Sequence, residues 1–396
     1  MCLLHFQLRG HTIIPLIGGA TGLIGDPSGR KTEREQANAT HVEKNVNMLS
    51  DSIKTFFHRG LAYAESRLPS ASESIFDPEV KNNLEWHNNF TMLEFLRVVG
   101  VHARINTMLS KESVKTRLES SAGISFTEFT YQLLQAYDFY HLHRAFGCTI
   151  QIGGSDQWGN IVAGLEFINR LSPSKPSKDD QKAFGITTPL LTTASGEKFG
   201  KSAGNAIWLN PQLTSIFDFF QYFLKVEDAD VEKYLKVFTF LSLEEIEVIM
   251  KIHKLEPDKR SAQRRLAAEV TELVHGVQGV KRAEMITNTV FRHPNAKSHM
   301  LDADSLIDAF TDDPRMSWCQ ESELTSVPVM KLASKYGLVP STSAARQLIQ
   351  SKGLYFNDHI VPDTHFTMNK THLLDGRAVM IRAGKDKVIL LATPHS

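Results

Sequence analysis

The sequence has few cysteines and no motif that would pair them. Its 396 residues contain only Cys2, Cys148 and Cys319, which are far apart, odd in number and without CxxC spacing. This pattern argues against a disulfide framework and against a structural zinc site, and it indicates a reducing compartment. No apolar run approaches the roughly 18 residues that a membrane span needs. We therefore expect a soluble protein with no metal site and no membrane partner.

Net charge is also absent. Lys and Arg total 44 and Asp and Glu total 44, so a nucleic-acid partner would have to meet a local basic surface. The apolar fraction of 42% and the charged fraction of 22% are ordinary for a soluble globular protein. A chain of this length can form two or three domains, each with its own core.

The first half of the chain alternates strands with helices. Residues 11–19 form a short apolar run ended by glycines, and a polar, phosphate-sized turn at 25–34 precedes a longer helix. Residues 149–154 repeat the strand and its glycines before another helix. This alternation predicts an α/β, Rossmann-like catalytic domain with a doubly wound parallel sheet over residues 1–213. A mainly helical insertion at about 89–144 is our candidate for a subunit interface.

The second half changes character twice. Residues 214–325 are nearly all helical in pattern, with a helix stop expected at Gly276, and they predict an all-helical domain. Residues 326–396 predict a small α+β domain that holds nine Lys or Arg against four acids. Such a local excess suits RNA phosphates. On charge alone, a solvated basic face with no partner is an equally good interpretation.

Two lysines occupy a glycine-rich segment. Lys198 and Lys201 are three residues apart, and Ser202 follows. A P-loop would need a glycine five positions before Gly200, where Ser195 stands, so a P-loop nucleotidase is disfavoured. Two ammonium groups on a mobile loop instead suit the neutralisation of charge on a departing pyrophosphate. Taken alone, a solvated lysine loop is the simpler interpretation.

A polar stripe follows one face of a predicted helix. Tyr131, Gln135 and Asp138 recur at i, i+4 and i+7, which aligns a phenol, an amide and a carboxylate. A polar face in water is the simplest interpretation of this stripe. The functional alternative is a pocket wall in which a buried carboxylate accepts a hydrogen bond from a substrate hydroxyl. A substrate without that hydroxyl would then leave the carboxylate unpaired.

Two turns supply further candidates. Gly153 and Gly154 would let the backbone approach a nucleotide, and Asp156 and Gln157 at the next helix start can bond ribose or substrate groups. Asp26 lies in Asp-Pro-Ser-Gly, an ordinary turn sequence, so a turn-forming role and a binding role are equally good interpretations.

Four segments together resemble bacterial-type tyrosyl-tRNA synthetases, which are class I ligases. They are GGATGLIGDPSGRKTER, ISFTEFTYQLLQAYDF, QIGGSDQWGN and KFGKS. The resemblance runs from the first residues nearly to the end. It implies a Rossmann-like catalytic domain, an anticodon-arm-binding helical domain from about 214 and a small RNA-binding module in the tail. The implied substrates are L-tyrosine, ATP as its Mg2+ complex and tRNA(Tyr), and the implied assembly is a homodimer without a tightly bound cofactor.

The resemblance also implies roles for the candidate residues. The tyrosine amino group would be held by Asp26, Tyr131 and Gln135, the phenol hydroxyl by Asp138, and Gln151 would adjoin the substrate. ATP or the adenylate would be contacted by Gly154, Asp156, Gln157 and Lys201. Lys198, Lys201 and Ser202 match the KMSKS signature, whose lysines stabilise the transition state of adenylate formation; Phe199 and Gly200 replace its middle pair.

Family members carry, before the point where this chain starts, a strand with a substrate-binding tyrosine and aspartate and then an HIGH-type histidine signature. His5 and His11 lie in the helix and strand that follow it and do not replace it. We therefore expect this chain to activate tyrosine poorly or not at all, and an upstream extension to restore activation.

Two other classes of function remain as alternatives. One is a non-catalytic RNA-binding protein that retains the synthetase fold, against which Lys198, Lys201 and Asp138 argue because RNA binding needs none of them. The other is a nucleotide hydrolase, whose consumption of ATP would not require tyrosine. The segment 201–206 is more similar to mitochondrial than to typical bacterial members, which implies the mitochondrial matrix, with a bacterial cytoplasm as the alternative.

Overall fold

The structure contains two compact units. A computed structural model describes residues 1–28, 37–68, 76–119, 123–171, 182–196, 199–202, 205–291, 302–384 and 387–394. One unit comprises Met1–Leu61 and Ser70–Lys201, and the other comprises Ala62–Pro69 and Ser202–Ser396. For residues 201, 202 and 205 only the backbone is described.

Short strands alternate with helices in the first unit. Its first elements are α1 (Cys2–Gln7), β1 (Leu16–Ile17), α2 (Gly19–Ile24), α3 (Ala39–Glu65), β2 (Lys81–Asn82) and α4 (Leu84–His87). Within the predicted helical insertion lie α5 (Met92–Val98), α6 (Ile105–Leu109), α7 (Glu112–Leu118) and most of α8 (Phe126–Phe146). They are followed by β3 (Ile150–Gly154), α9 (Trp158–Leu171) and β4 (Phe184–Thr188), with 3-10 turns at Gly100–His102 and Ser155–Gln157.

The strands of this unit pair in parallel, as the sequence predicts. Leu16 of β1 lies opposite Lys81 of β2, and Ile150 of β3 lies opposite Phe184 of β4. Each pair is joined through a helix, which is the connection that parallel strands require. The described strands thus form two parallel pairs, one from each half of the unit, and residues beside β1 and β3 line a common cavity of about 440 Å3.

The helix α8 begins and ends at residues that suit those positions. Ser125 accepts a hydrogen bond from the backbone of Glu128, whose side chain accepts in return, and Gly147 ends the helix with a φ of 65°. On its inner face Ala136 packs with Phe167 and Val99. This packing fixes the face of α8 that carries the polar stripe.

The chain continues into the second unit with a short strand pair and then helices. The elements are β5 (Lys201–Ser202), whose first residue belongs to the first unit, β6 (Asn205–Ala206), α10 (Ile216–Leu224), α11 (Asp228–Phe238), α12 (Leu243–Leu255) and α13 (Ser261–Val290), with a 3-10 turn at Pro257–Lys259. The expected stop at Gly276 is confirmed, because the helical stretch that begins at Ser261 ends there and a second helical stretch continues to Val290. Gly276 interrupts the helix with a φ of 75°, a left-handed value that glycine adopts without strain.

From Ala303 onward, short helices surround a five-stranded sheet. Its elements are α14 (Ala303–Phe310), β7 (Met316–Trp318), α15 (Glu321–Ser326), α16 (Val329–Lys335), α17 (Thr342–Gln350), β8 (Leu354–Phe356), β9 (His359–Ile360), a 3-10 turn (Lys370–His372), β10 (Ala378–Ala383) and β11 (Lys387–Ala392). The strand order is β7-β11-β10-β8-β9. No described helix is both long and apolar enough to cross a membrane.

One core joins the helices and the sheet of this unit. Phe217 of α10, Ile286 of α13 and Phe310 of α14 pack with Met380 and Leu390 of the sheet. The helical and tail regions therefore share buried surface. The domain boundary between residues 325 and 326 stays a prediction.

Candidate active site

The turn after α2 is cross-linked to the helix start after β3. Asp26 Oδ1 accepts from the backbone N–H of Ser28 at 2.8 Å, while Oδ2 accepts from Gln157 Nε2 at 2.7 Å. Asn160 Nδ2 donates to Gln157 Oε1 at 3.2 Å. Asp26 thus forms its own turn and also contacts the opposite strand-helix junction. The residues predicted for tyrosine and for the nucleotide meet at this point.

The two glycines that end β3 lie close to the side chains of the following turn. A Cβ on Gly153 would lie 3.1 Å from Cβ of Gln157, and a Cβ on Gly154 would lie 2.7 Å from Oδ1 of Asp156. Any larger side chain would therefore displace one of the two candidate polar residues. In this structure the two glycines allow Asp156 and Gln157 to lie close to the end of the strand.

Asp138 is buried and surrounded by donors. Its Oδ1 accepts from Trp86 Nε1 and from His87 Nε2, each at 2.7 Å, and its Oδ2 accepts from Asn83 Nδ2 at 3.0 Å. The residue is 2% exposed, so the interpretation of the stripe as a face in water is wrong for Asp138. An ionised carboxylate has about four acceptor positions. Described residues fill three of them, and the position that none of these residues fills lies on Oδ2.

Asn83 connects this carboxylate to the other half of the site. Its Nδ2 also donates to Thr21 Oγ1 at 3.0 Å, and its Oδ1 accepts from the backbone N–H of Ala20 at 2.8 Å. Thr21 lies on α2, and Asp26 follows five residues later. Asp26 itself lies beyond the end of α2, after the non-helical Gly25.

The remaining candidates lie on neighbouring elements. Tyr131 and Gln135 are half-buried on the same helix as Asp138. Gln151 is half-buried on β3, and its buried Oε1 has no hydrogen-bond donor among the described residues. Lys198 lies outside the described residues. Lys201 and Ser202 form β5, which pairs with β6, and only their backbone is described.

The sequence patterns did not predict the donors around Asp138. Asn83, Trp86 and His87 lie on or beside the short helix α4, more than 50 residues before Asp138 in the chain. A consecutive pair of asparagines shortly before an isolated tryptophan was the only local signal.

No group of three or more His, Cys, Asp or Glu residues is arranged to hold a metal ion in the part of the chain described.

Comparison with known proteins identifies this architecture. A family profile described as tRNA synthetases class I (W and Y) matches residues 1–292, and a profile for the tyrosine–tRNA ligase SYY-like C-terminal domain matches residues 306–391. The mitochondrial tyrosine–tRNA ligase of Saccharomyces cerevisiae is 39% identical over 99% of this chain and 78% of that protein. Tyrosine–tRNA ligase of Geobacillus stearothermophilus is 42% identical over 98% of this chain and 86% of that protein.

A solved structure agrees with these matches. The C-terminally truncated mitochondrial tyrosyl-tRNA synthetase of Aspergillus nidulans has a TM-score of 0.65 and 37% identity, covering 73% of this chain and 79% of that chain. The chain therefore belongs to the class I aminoacyl-tRNA synthetases for tryptophan and tyrosine. Enzymes of this class use ATP as a substrate. Within the family this chain functions as a tyrosine–tRNA ligase, with tyrosine and tRNA as substrates, and no comparison supports a non-catalytic RNA-binding protein.

Proposed function

We propose that one tyrosine molecule lies between Asp26 and Asp138. The single observation that supports this most strongly is an acceptor position on the buried Oδ2 of Asp138 that no donor among the described residues fills. A phenol hydroxyl fills it, and Asp26 with Tyr131 and Gln135 binds the ammonium group at the other end. A carboxylate suits that end because charge-assisted hydrogen bonds are stronger than neutral ones. Gln151 adjoins the substrate from β3.

The nucleotide half of the site lies beside Asp26. Gly154, Asp156 and Gln157 contact the adenylate. The hydrogen bond from Gln157 to Asp26 links the residues proposed to bind the nucleotide to a residue proposed to bind tyrosine. Lys198, Lys201 and Ser202 steady the leaving pyrophosphate, and Lys201 contacts ATP. Mg2+ enters with ATP and is not a resident metal. These assignments place both reacting groups at the ends of parallel strands, where open α/β sheets bind ligands.

The assignment of Asp26 can be tested with a substrate that lacks the amino group. Asp26→Asn removes the negative charge while it keeps the shape of the side chain. We expect the Kd for tyrosine to rise by about tenfold to a hundredfold, as for the loss of a hydrogen bond to a charged group. The Kd for 3-(4-hydroxyphenyl)propionate should change less than about threefold by the same reasoning. Isothermal titration calorimetry measures both.

A matched control for this test is Asp51→Asn, which changes an exposed carboxylate on α3. It should leave both affinities unchanged. If Asp26→Asn weakened the two ligands equally, Asp26 would not recognise the amino group and its role would be confined to the turn.

We propose that the protein is a homodimer that associates through the helical insertion. Exposed apolar side chains are concentrated there, namely Met92, Leu93, Leu96, Val101, Ile105 and Phe126. Leu93 is 75% exposed and Phe126 is 66% exposed. Single exposed apolar residues are normal on a protein surface, but a concentration of them marks an interaction site. Association of two copies would remove this apolar surface from water.

The dimer proposal predicts a change of oligomeric state. Leu93→Asp and Phe126→Asp each place a charge on the proposed interface, and we expect the dimer Kd to rise by about 30-fold or more, as for the loss of a binding hot spot. Sedimentation velocity measures this change. The control is Leu243→Asp, which alters an equally exposed leucine on α12. A dimer unaffected by the first two substitutions would exclude this surface.

The tail offers a surface for tRNA(Tyr). Lys331 on α16, Arg346 on α17 and Lys352 just after α17 are all exposed. The two helices pack against each other, so these cations lie on neighbouring elements. We assign them to RNA phosphates, and we assign the helices from residue 214 to the anticodon arm.

The relatives include both mitochondrial and bacterial ligases. We place the protein in the mitochondrial matrix because the sequence of residues 201–206 is more similar to mitochondrial members of the family.

A further inference from the structure

One oxygen of Asp138 receives two hydrogen bonds from adjacent residues. Trp86 Nε1 and His87 Nε2 both lie 2.7 Å from Oδ1. The side chain of His87 is 6% exposed and that of Asp138 is 3% exposed. For His87 to donate to this oxygen, its ring must carry a proton on Nε2. Each of the two acceptor positions on Oδ1 is therefore filled from within the protein.

This arrangement restricts what Asp138 can do with its other oxygen. Asn83 fills one position on Oδ2. A buried carboxylate held by three donors does not rotate toward a new partner without breaking one of them. When a ligand without a hydroxyl is bound, the last position on Oδ2 stays unpaired, which costs free energy. The rigidity of the carboxylate thus contributes to the penalty against phenylalanine.

We propose that His87 is a positioning residue that determines specificity for tyrosine, because its hydrogen bond holds Oδ1 of Asp138 and leaves Oδ2 alone to accept the phenol. This inference rests on the proposed role of Asp138. It adds that discrimination requires the imidazole donor in addition to the carboxylate. Trp86 and Asn83 alone leave one position on each oxygen unfilled, so the carboxylate can turn and accept from water or from another donor.

The test compares two polar substitutions that differ in reach. Gln places its Nε2 near the position of the imidazole Nε2, whereas Asn stops short of it. We expect His87→Gln to keep the ratio of phenylalanine Kd to tyrosine Kd within about threefold of the unsubstituted chain, and His87→Asn to lower it by about tenfold or more, as for the loss of a hydrogen bond to a charged group. Calorimetric titration with tyrosine, and displacement of tyrosine by phenylalanine, supply the ratio.

A purely structural role gives a different result, because a loosened pocket weakens both ligands together. The inference is overturned if the ratio of phenylalanine Kd to tyrosine Kd is unchanged in His87→Asn, or if it falls by the same factor in His87→Gln as in His87→Asn. His87→Leu is a second variant without a donor, and it must agree with His87→Asn. Asp138→Asn, measured in the same series, separates the two claims. If the ratio of phenylalanine Kd to tyrosine Kd falls in Asp138→Asn but not in His87→Asn, only the role of His87 is refuted. If the ratio does not fall in Asp138→Asn, the tyrosine pocket itself is refuted.

Discussion

Asp138→Asn is expected to remove most of the preference for tyrosine over phenylalanine. The substitution keeps the shape of the side chain but replaces a charged acceptor with an amide. We expect tyrosine affinity to fall by about tenfold to a hundredfold, the range for a hydrogen bond to a charged group. Phenylalanine should bind as well as before or better, because its ring no longer leaves an acceptor position of a buried carboxylate unfilled. Equilibrium binding of both amino acids measures the change.

The control for this experiment is Glu85→Gln. Glu85 is an exposed carboxylate on α4, the helix that supplies the donors to Asp138. Its substitution should leave both affinities unchanged. Unaltered discrimination in Asp138→Asn would show that the phenol is recognised elsewhere, and the hydrogen bonds around Asp138 would then serve only the fold.

Glu269→Leu is expected to destabilise the second unit by about 3–5 kcal/mol, the cost of breaking a buried ion pair by removing one partner. The Glu269 side chain on α13 is 1% exposed and accepts from Arg67 Nε at 2.8 Å. It also accepts from the hydroxyl of Tyr63, and it pairs with Arg265 at 2.9 Å. Burial raises the pKa of Tyr63, and the charge of Glu269 raises it further. The phenol therefore stays protonated and donates.

Hydrogen exchange of the α13 amides in increasing urea measures this loss for the second unit alone, which matters because a protein with two units need not unfold in one step. Glu232→Leu is the control. It removes an acid from an exposed pair with Lys236 on α11, and such pairs contribute about 0.3–0.5 kcal/mol. Equal effects of the two substitutions would show that the buried cluster of Glu269 contributes no more than a surface pair.

Local patterns were sufficient to predict the elements that carry the candidate site. Tyr131, Gln135 and Asp138 lie on α8 because their spacing matches its period, and the glycines after β3 end a strand as expected. The junction between Asp26 and Gln157 was also predictable in outline. Both residues follow parallel strands, and parallel strands direct their carboxyl ends to the same edge of a sheet.

Tertiary packing determined the features that the sequence did not reveal. The donors to Asp138 come from α4, which is a single turn and carries no periodic signal. Strand β7 pairs with β11 across more than 70 residues, so the sheet of the tail begins within the region predicted as helical.

A crystal structure of this chain with bound tyrosine is the decisive test of the proposed tyrosine pocket. We expect the phenol oxygen to lie about 2.6–3.0 Å from Oδ2 of Asp138. We also expect that the ammonium group contacts Asp26 and that His87 still donates to Oδ1. A ligand that occupies another cavity, or that reaches only one of the two carboxylates, would contradict the proposed pocket.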